Sequence, residues 1–226
     1  MKEWKNDDEL FELMRTQLYT AVVGDIMDKH DYTNQFLPPK LRPLRDDMMV
    51  AGRALPVIEA DVDEPAAASL KDKAFGLMLE ALDDLKKNEV YICTGASPSY
   101  ALWGELMSTR AIQLGSAGAV VDGYSRDTKG VLKLNFPTFS YGSYSQDQLP
   151  RGKVIDFRVP ISMGGVTINP GDIIFGDLDG VCVIPQEIEN EVITDALKKA
   201  GEEKTVQKAI ENGMGACEAF EKFGVM

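Results

Sequence analysis

Gly104-Glu105-Leu106-Met107-Ser108-Thr109-Arg110-Ala111-Ile112-Gln113-Leu114-Gly115-Ser116-Ala117-Gly118-Ala119-Val120-Val121-Asp122-Gly123-Tyr124-Ser125-Arg126-Asp127 is the stretch that decides the fold class. Ser108 to Ser116 has the composition of a helix, within a helical reading of about 102–115, and Ala119-Val120-Val121 that of a buried strand. Two polar clusters bracket this helix–strand unit, Gly104 to Met107 at the helix start and Asp122 to Asp127 at the strand exit. Twenty residues separate Glu105 from Arg126. The unit can therefore gather free amides, a guanidinium and carboxylates at one place, which suits an anion and a divalent cation held together.

Working outward, Val90-Tyr91-Ile92-Cys93 reads as a strand before the unit, and Phe139 to Gly142 as one after it. Residues 8–30 carry apolar side chains at spacings of three and four, a helical segment that Thr20 and Gly24 can divide. Leu37 to Pro43 holds three prolines and is an extended connector. Val50 to Ala60 is expected to be a strand interrupted at Pro56, followed by an acidic loop over 61–68 and a helix over 69–85. Lys153–Pro160 and Gly165–Ile168 are expected to pair through Ser162-Met163-Gly164. Two strands, 173–177 and 180–185, meet at Asp177-Leu178-Asp179-Gly180, and helices follow at about 186–223. Alternating elements without a linker give a single α/β domain of stacked layers over residues 1–226.

Composition removes several function classes. A net charge of −12 over 226 residues, with no basic cluster, argues against a nucleic-acid binder. No apolar run approaches a membrane span, and Met1 to Asp8 lacks the apolar run of a signal peptide. Cys93, Cys182 and Cys217 form no CxxC pattern and fit three free thiols in the cytoplasm. The single histidine, His30, sits in a polar helix end. It leaves neither a multi-histidine zinc site nor a convincing catalytic triad, so a metal here is a hard ion such as magnesium or manganese.

Each candidate cluster has a plain alternative. Gly104-Glu105-Leu106-Met107 is either an anion-binding helix start or a helix with an ordinary acidic first turn. Arg126 can clamp a carboxylate and Asp127 can ligate a cation, or the two form a surface pair. Adjacent residues in an extended segment point to opposite sides, so both serve one site only if a turn brings them round. Asp172, Asp177 and Asp179 read most economically as turn residues. Glu202 and Glu203 lie on the charged face of the last long helix.

Together, Gly104-Glu105-Leu106-Met107, the twenty-residue gap, Asp122-Gly123 and Arg126-Asp127 resemble the RraA-like family. That family holds divalent-metal-dependent 4-hydroxy-4-methyl-2-oxoglutarate aldolases and regulators of ribonuclease activity. Val22 to Asp28, Gly52-Arg53-Ala54 and the segment from Asn169 to Pro185 are similar to further parts of it. The resemblance implies a layered α/β/β sandwich assembled as a homotrimer or hexamer, with sites between subunits. It implies a lyase cleaving a 4-hydroxy-2-oxo acid, and possible oxaloacetate decarboxylation, with Mg2+ or Mn2+ as cofactor. It assigns Asp127 to the metal, Arg126 to the pyruvyl group and Glu105 to an ordered water. The amides of Gly104, Glu105, Leu106 and Met107 would receive the substrate carboxylate, and Glu202 or Glu203 would reach a neighbouring subunit. Glu105 stands where the family's aldolases often carry Asp. The alternative is a non-catalytic regulator that binds an enzyme partner such as a ribonuclease; the intact acid–Arg–Asp set favours the enzyme.

Overall fold

Two amphipathic helices, α1 (Asp7–Gln17) and α2 (Thr20–Lys29), open the computed structural model, which describes residues 4–62 and 73–225. Asn6 caps α1 by accepting the Glu9 amide at 3.0 Å. The helical segment breaks at Leu18-Tyr19, just before Thr20. There Asp177 caps α2 from across the fold, accepting the amide and hydroxyl of Thr20, each at 2.7 Å.

The chain then forms β1 (Arg42–Pro43), β2 (Val50–Asp61), α3 (Met78–Asp83), β3 (Glu89–Thr94) and β4 (Ala101–Trp103). Next come α4 (Glu105–Gln113), β5 (Gly118–Val121), β6 (Tyr124–Ser125), α5 (Thr128–Leu134) and β7 (Thr138–Ser140). The last part holds β8 (Gly152–Phe157), β9 (Ile161–Met163), β10 (Val166–Ile168), β11 (Ile173–Asp177), β12 (Gly180–Ile184), α6 (Glu189–Glu211) and α7 (Ala216–Phe223). The expected acidic loop over 61–68 lies largely outside the described residues, as do residues 69–72 of the expected helix. Residues 73–77, expected to be helical, instead form a turn with Gly76 bridging to Val154, and the helix begins only at Met78 as α3.

One eight-stranded mixed sheet runs in the order β1-β7-β5-β3-β2-β11-β12, with β8 also on β2. The pairs β2–β3, β3–β5 and β5–β7 are parallel, as expected of strands joined by crossovers through α3, α4 and α5. Two sequence expectations are corrected here. Pro56 does not interrupt β2: it falls where β2 passes from its pairing with β11 (through Arg53) to its pairing with β8 (from Val57). A missing N–H leaves no ladder bond unmade at that hand-over, and the Pro56 carbonyl accepts the Arg158 amide at 2.8 Å. Nor do residues 153–160 pair with 165–168. β8 lies against β2, and β10 forms a tight hairpin with β9 through Gly164-Gly165.

Alternation along the strands builds the layers. Ala51, Leu55, Val57, Tyr91 and Cys93 face the helices, where α1, α2 and α6 cover one half of the sheet and α3 and α4 the other. Val50, Ala54, Val90, Ile92 and Val120 face the opposite way, onto the β9–β10 hairpin. This is the α/β/β layering that the family resemblance implied, within the α/β class read from the alternating elements. The helical layer is pinned by Arg53, whose guanidinium holds Asp7 of α1 at 2.8 and 2.9 Å and also Glu189 at the start of α6. No helix among the described residues is long and apolar enough to cross a membrane.

Candidate functional site

The two polar clusters of the 104–127 stretch meet through a pairing too short to be read from sequence. β4 and β6 form a two-stranded parallel ladder, Ala101 opposite Tyr124 and Trp103 opposite Ser125. The Arg126 amide then donates to the Trp103 carbonyl at 2.8 Å. Gly104 caps α4 without a side-chain bond, so the first-turn amides of Gly104, Glu105, Leu106 and Met107 are left to whatever lies before the helix. Trp103 locks this turn. Its indole donates to the Ser108 hydroxyl at 2.8 Å, that hydroxyl donates to the Gly104 carbonyl at 3.0 Å, and the ring stacks on Phe136.

Asp127 supplies the turn that lets neighbouring residues share one site. It sits in the left-handed region (φ 55°, ψ 30°) as the cap of α5, a conformation Asp tolerates better than most residues. Arg126 and Asp127 thereby line the same cleft, together with Gly104, Leu106 and Met107. Gly104 is needed for close approach: a Cβ there would come within 2.9 Å of Asp127 Oδ2 and 3.3 Å of Arg126 Cγ. The cleft has a volume of about 490 Å3.

Glu105 lies on the other side of Asp127. Its carboxyl rests on Gly130 of α5, where an added Cβ would meet Glu105 Cδ at 2.2 Å. It lines a second concavity with Asp127, Thr128, Lys129 and Lys133. Asp127 is thus common to both hollows, with Arg126 to one side and Glu105 to the other. Glu203 lies elsewhere in the chain, in a concavity between α2 and α6; it pairs with Lys199 at 3.5 Å, and burial raises its pKa. Glu202 lies one residue before it on α6, within 4.0 Å of Lys198.

Asp147 belongs to the site and carried no signal in the sequence, where it is one acid in a polar loop. Its Oδ1 lies 2.8 Å from Arg126 Nη1, while Asp127 Oδ2 lies 3.5 Å from Arg126 Nε. Next to it, Gln148 reaches back from the cleft and donates to the buried Glu59 at 2.7 Å. Burial pushes the Glu59 carboxyl up to about 8. Two aspartates of the C-terminal strand pair have structural partners. Asp177 caps α2, and Asp172 accepts the amides of Asn169 and Gln186 at 2.8 and 3.2 Å.

Asp127 is the residue of this cleft that could hold a hard divalent ion. The carboxylate is partly exposed, turned into the cleft, and beside a glycine that leaves space at Oδ2. No three His, Cys, Asp or Glu side chains among the described residues are grouped to enclose a metal. An ion held by Asp127 would therefore take its remaining oxygens from water and from a chelating ligand, as magnesium commonly does.

Comparison with known proteins agrees with this architecture. Residues 20–183 match the model of the RraA-like family, described as aldolase/RraA. The chain is 33% identical over 202 residues to a Halalkalibacterium halodurans protein provisionally named 4-hydroxy-4-methyl-2-oxoglutarate aldolase, covering 89% of each. It is 28% identical to Protein DlpA of Legionella pneumophila over 90% of this chain, spanning only 32% of that longer protein. The crystal structure of Streptomyces coelicolor RraAS2, from the RNase ES inhibitor RraA family, superposes with a TM-score of 0.77 at 21% identity. That match covers 91% of this chain and all (100%) of RraAS2, and it is a likeness of fold alone. The chain belongs to the RraA-like family.

Proposed function

We propose that the protein is a divalent-metal-dependent lyase that cleaves a 4-hydroxy-2-oxo acid and also decarboxylates oxaloacetate. The observation that carries this reading is the convergence of Arg126, Asp127 and the open amides of α4 on one cleft. In retro-aldol cleavage the C3–C4 bond breaks and the C4 hydroxyl loses its proton as its oxygen becomes a carbonyl. The electron pair passes into a pyruvate enolate, which is protonated at C3. Decarboxylation of oxaloacetate releases CO2 from C4 and reaches the same enolate.

The residues have separate tasks in this scheme. Arg126 offers a fixed cation where negative charge develops on the 2-oxo group, and needs no reorganisation to do so. The α4 amides and the helix dipole hold the C1 carboxylate. Asp127 holds the metal, which when bound polarises the 2-oxo group as a Lewis acid. Glu105, on the far side of Asp127, orders the water that takes up the C4 hydroxyl proton. A homotrimer or hexamer is part of the proposal; Ile210 and Phe220, exposed on α6 and α7, support a contact between copies.

The test is pyruvate release from oxaloacetate and from a panel of 4-hydroxy-2-oxo acids, with Mg2+ or Mn2+ and again with EDTA. The expected result is turnover that requires the metal. No release under any of these conditions contradicts the lyase reading and returns the chain to the regulator alternative.

A further inference from the structure

We propose that the substrate's far end is apolar, an alkyl or aryl group at C4 in place of a second carboxylate; this rests on the lyase reading of Arg126 and Asp127. Beyond those residues the cleft is walled by Met78, Leu79 and Leu82 of α3 and by Leu102, Trp103 and Met107. Leu79 is 55% exposed and Leu106, at the rim, is 84% exposed in the single chain, so both are available to line the path a substrate tail would take. Large aliphatic side chains gathered around one concavity mark a ligand surface more often than chance exposure does.

The charges of the cleft agree. Its two arginines already face carboxylates: Arg110 Nε lies 2.7 Å from Asp83 Oδ1, and Arg126 Nη1 lies 2.8 Å from Asp147 Oδ1. Arg110 and Arg126 are matched one to one by Asp83 and Asp147, and Asp127 is left for the metal, so neither arginine is free for a second carboxylate. A second carboxylate entering along α3 would meet an apolar wall and would have to displace an aspartate from its arginine. A tail of methylenes meets neither obstacle, and each one buried strengthens binding about fourfold. Lys129 and Lys133 line the hollow on the opposite side of Asp127, where Glu105 lies, so a dicarboxylic substrate would be expected to turn that way.

The experiment compares 4-hydroxy-2-oxooctanoate with 4-hydroxy-4-methyl-2-oxoglutarate as substrates of the Mn2+-loaded enzyme. In parallel, calorimetry compares binding of 2-oxooctanoate and 2-oxoglutarate. The alkyl compound is expected to lead by at least about tenfold in both measurements, since a few buried methylenes suffice. Leu79→Lys, at an exposed position that leaves the fold intact, is expected to reduce that lead at least about tenfold. Equal or preferred use of the dicarboxylate overturns the proposal, and loss of that preference in Lys129→Ala would place the tail on the α5 side. A Leu79→Lys variant that sediments as a smaller assembly with its tail preference unchanged also overturns it, in favour of a contact between copies. Oxaloacetate decarboxylation separates the two levels. Retained without a tail preference, it leaves the lyase and removes this proposal; absent from the metal-loaded enzyme together with cleavage of every 4-hydroxy-2-oxo acid, it removes both.

Discussion

Asp127 has two separable roles in the proposed lyase, one for its backbone and one for its carboxylate, and substitution can divide them. Its backbone is left-handed and its carboxylate faces the cleft beside Arg126. Asn tolerates the same backbone, so Asp127→Asn is expected to keep the melting temperature while losing metal-dependent turnover. Asp127→Ala should lose the same activity and about 1 kcal/mol of stability besides, because Ala resists φ > 0. Equal stability of the two variants would remove the backbone argument, and an active Asn variant would remove the metal role. Arg126→Ala is expected to lower kcat by about 10²–10³ without unfolding the protein, the usual cost of losing one preorganised charge partner. Glu59 makes a different prediction. Buried, it keeps its proton up to about pH 8, whereas the unfolded chain releases it near the ordinary value of 4.5. Its contribution is fully present below about pH 4.5 and is lost as pH rises through 8, an effect of roughly 3 kcal/mol or more. Urea midpoints between pH 5 and 8 should therefore fall more steeply for wild type than for Glu59→Gln; parallel curves would contradict the burial argument.

Among the elements, α4 and β5 were legible and the pieces joining them were not. Ser108 to Ser116 announced a helix and Ala119 to Val121 a buried strand, because periodicity and an apolar run are local properties. The helix runs only from Glu105 to Gln113, and Leu102 and Trp103, read as its start, belong to β4. β4 and β6, at three and two residues, carry no periodicity, yet their pairing is what sets Gly104 beside Asp127. Asp147 and the apolar wall of α3 were invisible for a related reason: only tertiary packing brings them to Arg126. Gly104 tests this geometry. Gly104→Ala puts a methyl group against the movable tip of Asp127, so the melting temperature should change little. The site, however, needs tolerances well below 1 Å, and kcat/KM should fall at least about tenfold. A variant with unchanged kinetics would show that the glycine serves only the chain's path.

At the scale of the whole molecule, the layered α/β class followed from alternating elements, while the pairing of β8 and the continuity of β2 did not. A proline reads as a strand breaker unless its partner strands are known to change at that residue, and that knowledge lies in β8 and β11, more than a hundred residues away in the case of β11. Arg53 of β2 joins α1 and α6 through Asp7 and Glu189, so Arg53→Met would leave a largely buried Glu189 unpaired. The expected loss is about 2–3 kcal/mol, below the cost of a fully buried pair because Asp7 is partly exposed, read as a lower urea midpoint. Adding Glu189→Gln should restore part of it; a double variant no more stable than the single one would place the cost elsewhere. All of these distant contacts serve one claim, that a hard metal and a 2-oxo acid meet between Arg126 and Asp127. Anomalous diffraction from crystals soaked with Mn2+ and pyruvate tests it most directly. The account predicts a manganese peak bound to the Asp127 carboxylate, with pyruvate chelating the ion, its carboxylate at the α4 amides and Arg126 beside its oxo group; a peak away from Asp127, or pyruvate bound elsewhere, would contradict it.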